Sequence, residues 1–394
     1  MRTLRQIGAI VLMNLRSIPQ RWGASLVIIV GIAGVVAVLV AMLSMSTGLR
    51  KTLSSTGEMD RALVLRAGAN AELSSFLDRA STTLIKQDPA VARDADGLPL
   101  ASAELIVIAE VPRFGQRTGA NVSLRGVEPA GIAMRPEWRL VAGRPFRPGL
   151  RELVVGSGAA SQFAGLQIGD VLRLRGSSWT IVGTFDSGGD GHGAELWGDA
   201  EAVQSAFGRT GFSSVLAQLR DIDAFEPVKA RLTADPTLTV DVFREQEFFS
   251  AQSQTLTSLI GWLTNIIAAI MAFGALFGAL NTMYSAVAAR TAEIGTLRAL
   301  GFGRLPVVAS VMAESLLLSV LGGAIGALLA YTLFNGYSVS TLGQGFTQVA
   351  FNFAVTPALV WQGLFWALAI GFLGGLMPAL RAARLPVTAA LRAI

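Results

Sequence analysis

Charged residues disappear from four stretches of this chain. Trp22 to Leu49 has none, and its "ASLVIIVGIAGVVAVLVAML" core is long enough, as a helix, to cross the roughly 30 Å hydrocarbon layer of a bilayer. Leu259 to Thr282, Val307 to Phe334 and Leu359 to Leu380 repeat the pattern, with Glu314 as their one charge. The first run has an apolar part of about 20 residues, beyond the 7–15 of a secretory signal, and no small-residue cleavage site follows. It reads as an uncleaved anchor. The pattern predicts one span, a domain of about 210 residues, then three spans.

The first 20 residues have a different period. Leu4, Ile7, Val11, Leu15 and Ile18 share one helical stripe, Arg2, Arg5 and Arg16 another, and Pro19 interrupts them. Such a helix lies in the inner-leaflet interface or packs against the protein's own bundle. Between the first two spans, short runs rich in β-branched residues predict strands near 105–111, 121–127, 152–156, 170–176, 179–185, 213–219 and 238–243. Helices are expected at 72–87, 195–207, 222–234 and 244–257. The expected boundaries are 1–22 for the interfacial helix, 23–45 for the first span and 46–257 for the inserted domain. The second span follows at 258–283, a connecting segment at 284–306, the third span at 307–334, a hairpin at 335–357, the fourth span at 358–380 and a tail at 381–394. Within the inserted domain a small β-rich lobe is expected at about 100–205, beside a second lobe built from the parts before and after it. The fold class is thus an α-helical membrane protein with four transmembrane helices and a large extracytoplasmic α+β domain inserted between the first and second.

Composition supports a membrane protein, with 52% hydrophobic and 15% charged residues against about 25% charged in soluble domains. Segments 1–22, 284–307 and 381–394 hold ten arginines, one glutamate and no lysine. The large domain has 22 basic and 25 acidic residues. The positive-inside rule puts the arginine-rich segments, with both termini, in the cytoplasm and the large domain outside. The basic balance therefore reports topology, and no arginine-plus-aromatic groove suggests nucleic acid. With no cysteine, disulfides and thiolate chemistry are excluded.

Candidate chemistry is sparse. No G-x-x-x-x-G-K-[ST], H-E-x-x-H or G-x-S-x-G occurs, so ATP binding through a P-loop is not expected here. The carboxylates of the large domain read as ordinary surface. The single histidine, His192, sits in "DSGGDGHGAEL" among glycines and acids; it lacks ligand spacing for a metal and reads as a plain external loop, with a partner or substrate contact as the alternative. No catalytic, cofactor or metal residues are assigned. Glu314, shallow in the third span, has Arg290, Arg298 or Arg304 as candidate partners. Gly274/Gly278, Gly322/Gly326 and Gly371/Gly375 offer small faces for helix packing.

The segment "AARTAEIGTLRALGFGRLP" between the second and third spans reads as a short helix, with Arg290 and Glu293 one turn apart, ended by Gly301 and Gly303. Its residue types fit both a rigid handle for a soluble motor and an ordinary arginine-marked loop. "NTMYSAVAARTAEIGTLRALGF" (281–302), "AESLLLSVLGGAIGALLAY" (313–331) and "PALRAARLPVTAALRA" (378–393) resemble, in order, the motifs of the MacB/FtsX-like permeases of ABC transporters. In the tail, Arg384, Pro386, Ala390, Leu391 and Arg392 match. Ala289 and Ala292 depart from the charged residues often found there.

The resemblance implies a non-catalytic permease subunit in a bacterial inner membrane, with a large periplasmic domain. A separate cytoplasmic ABC ATPase dimer would carry ATP and Mg and grip Arg290, Glu293, Ile294, Gly295, Leu297, Arg298, Leu300 and Gly301. It further implies a second permease copy or homologue, and in many members a periplasmic adaptor and an outer-membrane channel. The implied work is export or extraction on the outer side of the membrane. The alternative is a regulatory module signalling to a periplasmic hydrolase or a sensor kinase.

Overall fold

The computed structural model describes residues 22–115, 119–342 and 348–384. The expected interfacial helix, most of the arginine-bearing tail and the tip of the last hairpin lie outside the described residues. Among the described residues, four helices are long and apolar enough to cross a membrane: Ser25–Ser54, Glu245–Ala289, Arg304–Phe334 and Pro357–Arg384. The chain divides into two compact units. One contains the spans, drawn from residues up to 47, 258–337 and from 353 on; the other is 48–257 together with 338–352.

In the membrane unit, small residues set how closely helices approach. A Cβ on Gly322 would sit 2.9 Å from the Ile29 carbonyl oxygen, and one on Gly326 would meet the Ala33 backbone. These glycines let the third span lie directly on the first. The fourth span meets the third where Gly371 and Gly375 cover Ser315 and Ser319, and Ser315 Oγ donates to the Gly371 carbonyl at 2.7 Å. Gly274 and Gly278 have open space around them, so among the described residues no helix packs on this glycine pair.

The large-domain unit is built on one continuous path of strands. The strands are β1 (Arg61–Arg66), β2 (Ala101–Pro112), β3 (Gly119–Val127), β4 (Arg139–Gly143), β5 (Glu152–Gly156), β6 (Val171–Leu174), β7 (Ser177–Asp186), β8 (Leu196–Asp199), β9 (Ser214–Gln218) and β10 (Val240–Arg244). Their order is β10-β1-β9-β2-β3-β8-β5-β7-β4, with β6 on β7. The long strand β2 serves two neighbourhoods. Its start pairs with β9 and the remainder with β3. Helices Arg79–Lys86, Ala200–Phe207 and Phe225–Ala234 contribute Ile85, Val203 and Phe225 to a core that also contains Leu124, Leu153, Trp179 and Ile181. A hairpin of β11 (Ser338–Leu342) and β12 (Gln348–Asn352) completes the unit.

Two expected helices are corrected. Residues 196–199 form a strand, because all four are buried between β3 and β5. The helix starts only after Asp199, whose carboxylate accepts from the Ala202 amide at 3.0 Å. The helix expected over 72–87 begins at Arg79, capped by Asp78 at 2.7 Å from the Ser81 amide. Glu72 instead sits in a 3-10 turn that delivers its carboxylate to Arg125.

Candidate functional site

The second spanning helix ends at Ala289, Arg290 leaves helical geometry (φ −105°, ψ 13°), and a nine-residue helix, Thr291–Ala299, follows. Its C-terminus is closed by a Schellman arrangement. The Phe302 amide donates to the Leu297 carbonyl and the Gly301 amide to the Arg298 carbonyl, each at 3.1 Å. This closure needs a left-handed residue, and Gly301 supplies φ +92°. Gly303 then caps the third spanning helix.

The short helix is fastened at both ends. Arg290 Nη1 donates to Glu314 Oε2 at 2.9 Å, with each residue 5% exposed. Of the three arginines open to Glu314 on sequence grounds, the structure selects Arg290. Two charges removed from water must compensate each other, and separating such a pair costs about 3–5 kcal/mol. At the other end, Arg298 Nη1 donates to the Ala383 carbonyl at 3.2 Å, joining the helix to the end of the fourth span. A cavity of about 20 Å³ beside Arg290, Ile294, Ser310 and Glu314 has room for little more than water.

The eight residues expected to meet an ATPase divide by exposure. Arg290, Ile294 and Gly295 are buried, Leu297 and Arg298 are half-buried, and Glu293, Leu300 and Gly301 are exposed, Leu300 by 73%. The buried set holds the helix in place and the exposed set forms its outer face.

The large domain contains a second constellation that the sequence reading missed. Arg125 lies on β3, 2% exposed, and bonds Glu72, Glu104 and Glu195 through Nε, Nη1 and Nη2 at 2.7–2.9 Å. Glu104 also binds Arg135 at 2.7 Å. Glu245 continues the chain, 3.7 Å from Arg135 and 3.2 Å from Arg61. These carboxylates are therefore core groups, which corrects the reading of them as surface. Burial alone would raise the Glu104 carboxyl, but Arg135 and Arg125 outweigh it and hold it down to about 2. Glu195 is held below the usual carboxylate range in the same way, against burial, by Arg125 and His192. The available sequence signal was a charge at an inward strand position, the arginine of "NVSLRGV" between buried Leu124 and Val127. Among the described residues, no group of three His, Cys, Asp or Glu side chains is arranged to hold a metal.

Comparison with known proteins agrees with this division. Residues 25–235 match the MacB-like periplasmic core domain, and residues 265–387 match the FtsX-like permease C-terminal region. The macrolide export ATP-binding/permease protein MacB of Hahella chejuensis is 30% identical over 239 residues, 57% of this chain and 35% of that protein. An ABC transporter permease of Bacillus subtilis, YknZ, is 26% identical over 244 residues, 57% of each chain. MacB of Bdellovibrio bacteriovorus is 25% identical over 395 residues, 91% of this chain and 57% of that protein. These alignments span between about a third and somewhat over half of the curated relatives' length. The chain belongs to the MacB/FtsX-like family of ABC transporter permeases, as a multi-pass inner-membrane protein with a MacB-like periplasmic core domain.

Proposed function

We propose that this permease turns ATP hydrolysis by a separate cytoplasmic ATPase into movement of its periplasmic domain, for export or extraction of a substrate on the outer side of the membrane. The observation that carries this reading is the short helix Thr291–Ala299, anchored to the third span through Arg290–Glu314 and to the fourth through Arg298. A helix loosely hung between two spans would absorb a push by bending. One tied by a buried ion pair passes the push to both spans.

In this reading Glu293, Leu300 and Gly301 meet the ATPase, Leu297 and Arg298 flank that contact, and Arg290, Ile294 and Gly295 position it. A second permease copy covers the second spanning helix, whose apolar window is 11% buried while those of the other spans are 39–44% buried. The macrolide export named for the MacB relatives, a periplasmic adaptor and an outer-membrane channel belong to the same proposal.

Glu293→Arg reverses the charge at an exposed position of the short helix. Co-purification of the ATPase with the chain should drop at least tenfold while the variant still reaches the membrane. Unchanged ATPase binding and turnover would remove the coupling assignment.

A further inference from the structure

His192 is the chain's only histidine, and the structure places it far from the loose external loop that its glycine-rich surroundings suggest. It is 2% exposed, in the 3-10 turn Gly191–Ala194. Three chain segments by which the large-domain unit connects to the rest of the protein meet at this turn. From the end of the first, the Thr56 hydroxyl accepts from the Gly191 amide at 2.8 Å, and the Leu53 side chain lies alongside. From the second, the helix that begins at Glu245, Phe249 takes the His192 ring edge-on at 5.7 Å. From the third, strand β12 of the hairpin runs beside the turn.

The same imidazole ends the buried charge network, with Nδ1 3.3 Å from Glu195 Oε2. The buried connected groups are three guanidiniums, Arg61, Arg125 and Arg135, and four carboxylates, Glu72, Glu104, Glu195 and Glu245; the exposed Glu58 lies 4.0 Å from Arg61 at the network's edge. A neutral His192 leaves this network one negative charge in excess; a protonated one balances it. Burying an unbalanced charge is costly. His192 Nε2 is also buried without a protein partner, and the residue lines a cavity of about 80 Å³ with Arg125, Glu72 and Gln252, large enough for water to accept its proton.

We propose that His192 is a proton-responsive positioning residue, whose charge sets how firmly the 191–194 turn holds the three connecting segments against the domain. The charged groups around it are Asp190 and Glu195 on its own loop, Arg125 on β3 and Glu72 on the preceding 3-10 turn. Of the segments contributing Thr56, Phe249 and β12, the helix brings Glu245, which joins the network through Arg61 and Arg135, and β12 carries no charge. Burial disfavours the cation, yet Asp190 and Glu195 outweigh both burial and Arg125, so the imidazole is raised from its ordinary value of 6.5. A group raised on folding stabilises the folded state fully below its unfolded value and loses that contribution as pH rises through its folded value. The turn is therefore tight in acid and loosens toward alkaline pH.

The test uses the full-length chain in lipid nanodiscs, carrying no histidine tag, with isotope-labelled histidine. One imidazole titration is then visible, and amide exchange reports opening of 51–56, 191–195, 245–252 and 348–352. The midpoint should exceed 6.5, and protection in all four segments, taken relative to the intrinsic base-catalysed exchange rate, should fall as pH rises through it, tenfold in total for each unit of elevation. His192→Gln should abolish that pH dependence, and Asp190→Asn should move the midpoint down. An imidazole that stays neutral from pH 5, or exchange that follows pH equally in wild type and His192→Gln, overturns the proposal. The proposal takes from the coupling reading only that this domain is the moving part; because neither measurement involves an ATPase, the two can fail separately.

Discussion

Arg125 uses all five of its N–H donors on three carboxylates, a geometry that lysine, with one ammonium, does not reproduce. Its removal leaves Glu72, Glu104 and Glu195 buried beside one another with less positive charge to hold them. Arg125→Met should lower stability at pH 7 by about 3–5 kcal/mol. The acid response gives the sign. In the wild type, Glu104 titrates at about 2 against an ordinary 4.5, so its stabilisation is present above 4.5 and is lost as pH falls toward 2. In Arg125→Met, protonation relieves repulsion between the remaining carboxylates, and the loss over that window should shrink or reverse. Melting curves from pH 2 to 7 on both proteins check this; parallel curves would show that Arg125 does not set these titrations. None of these partnerships was legible beforehand, since Glu72 and Arg125 are 53 positions apart and nothing local says they meet.

Among the elements, the short helix Thr291–Ala299 was largely readable. Gly301 and Gly303 marked its end, because a Schellman closure needs a residue that tolerates φ > 0, and the surrounding apolar runs isolated it. Its anchor was readable only as a choice among three arginines, which the break at Arg290 settles by turning that side chain into the bundle toward Glu314. Arg290→Met and Glu314→Leu should each cost about 3–5 kcal/mol by stranding the other charge, while the double variant should cost less than either. Thermal melts of the four proteins in detergent measure this, and costs that simply add would show the two charges to be uncoupled. Strand β8 shows the opposite case. Leu196 to Asp199 looked like the start of a helix because Ala200 to Phe207 has helical composition, and only its position between β3 and β5 made it extended.

For the whole molecule, the division into a membrane unit and a large domain follows from where charge is missing along the chain. The domain's main core cluster draws on residues from Ala62 to Val242, none of them on a spanning helix. Fragment 48–257, produced without the spans, should unfold in one cooperative thermal transition. A broad, non-cooperative loss of circular dichroism would show that the domain depends on the membrane segments or on the hairpin. The sequence predicts a hairpin at 335–357 between the third and fourth spans. The structure groups 338–352 with the large domain, which local sequence does not encode because Ser338–Leu342 and Gln348–Asn352 carry no charge and little periodicity.

Spans, inserted domain, β-rich content and the glycine-ended helix between the second and third spans were determined by the sequence alone. Each depends on solvent preference or backbone freedom, which act residue by residue. The partners of Arg125, Arg290 and His192 were decided by the tertiary structure, because a charge pairs with whatever the fold brings within about 3 Å, and that distance is not written in sequence separation.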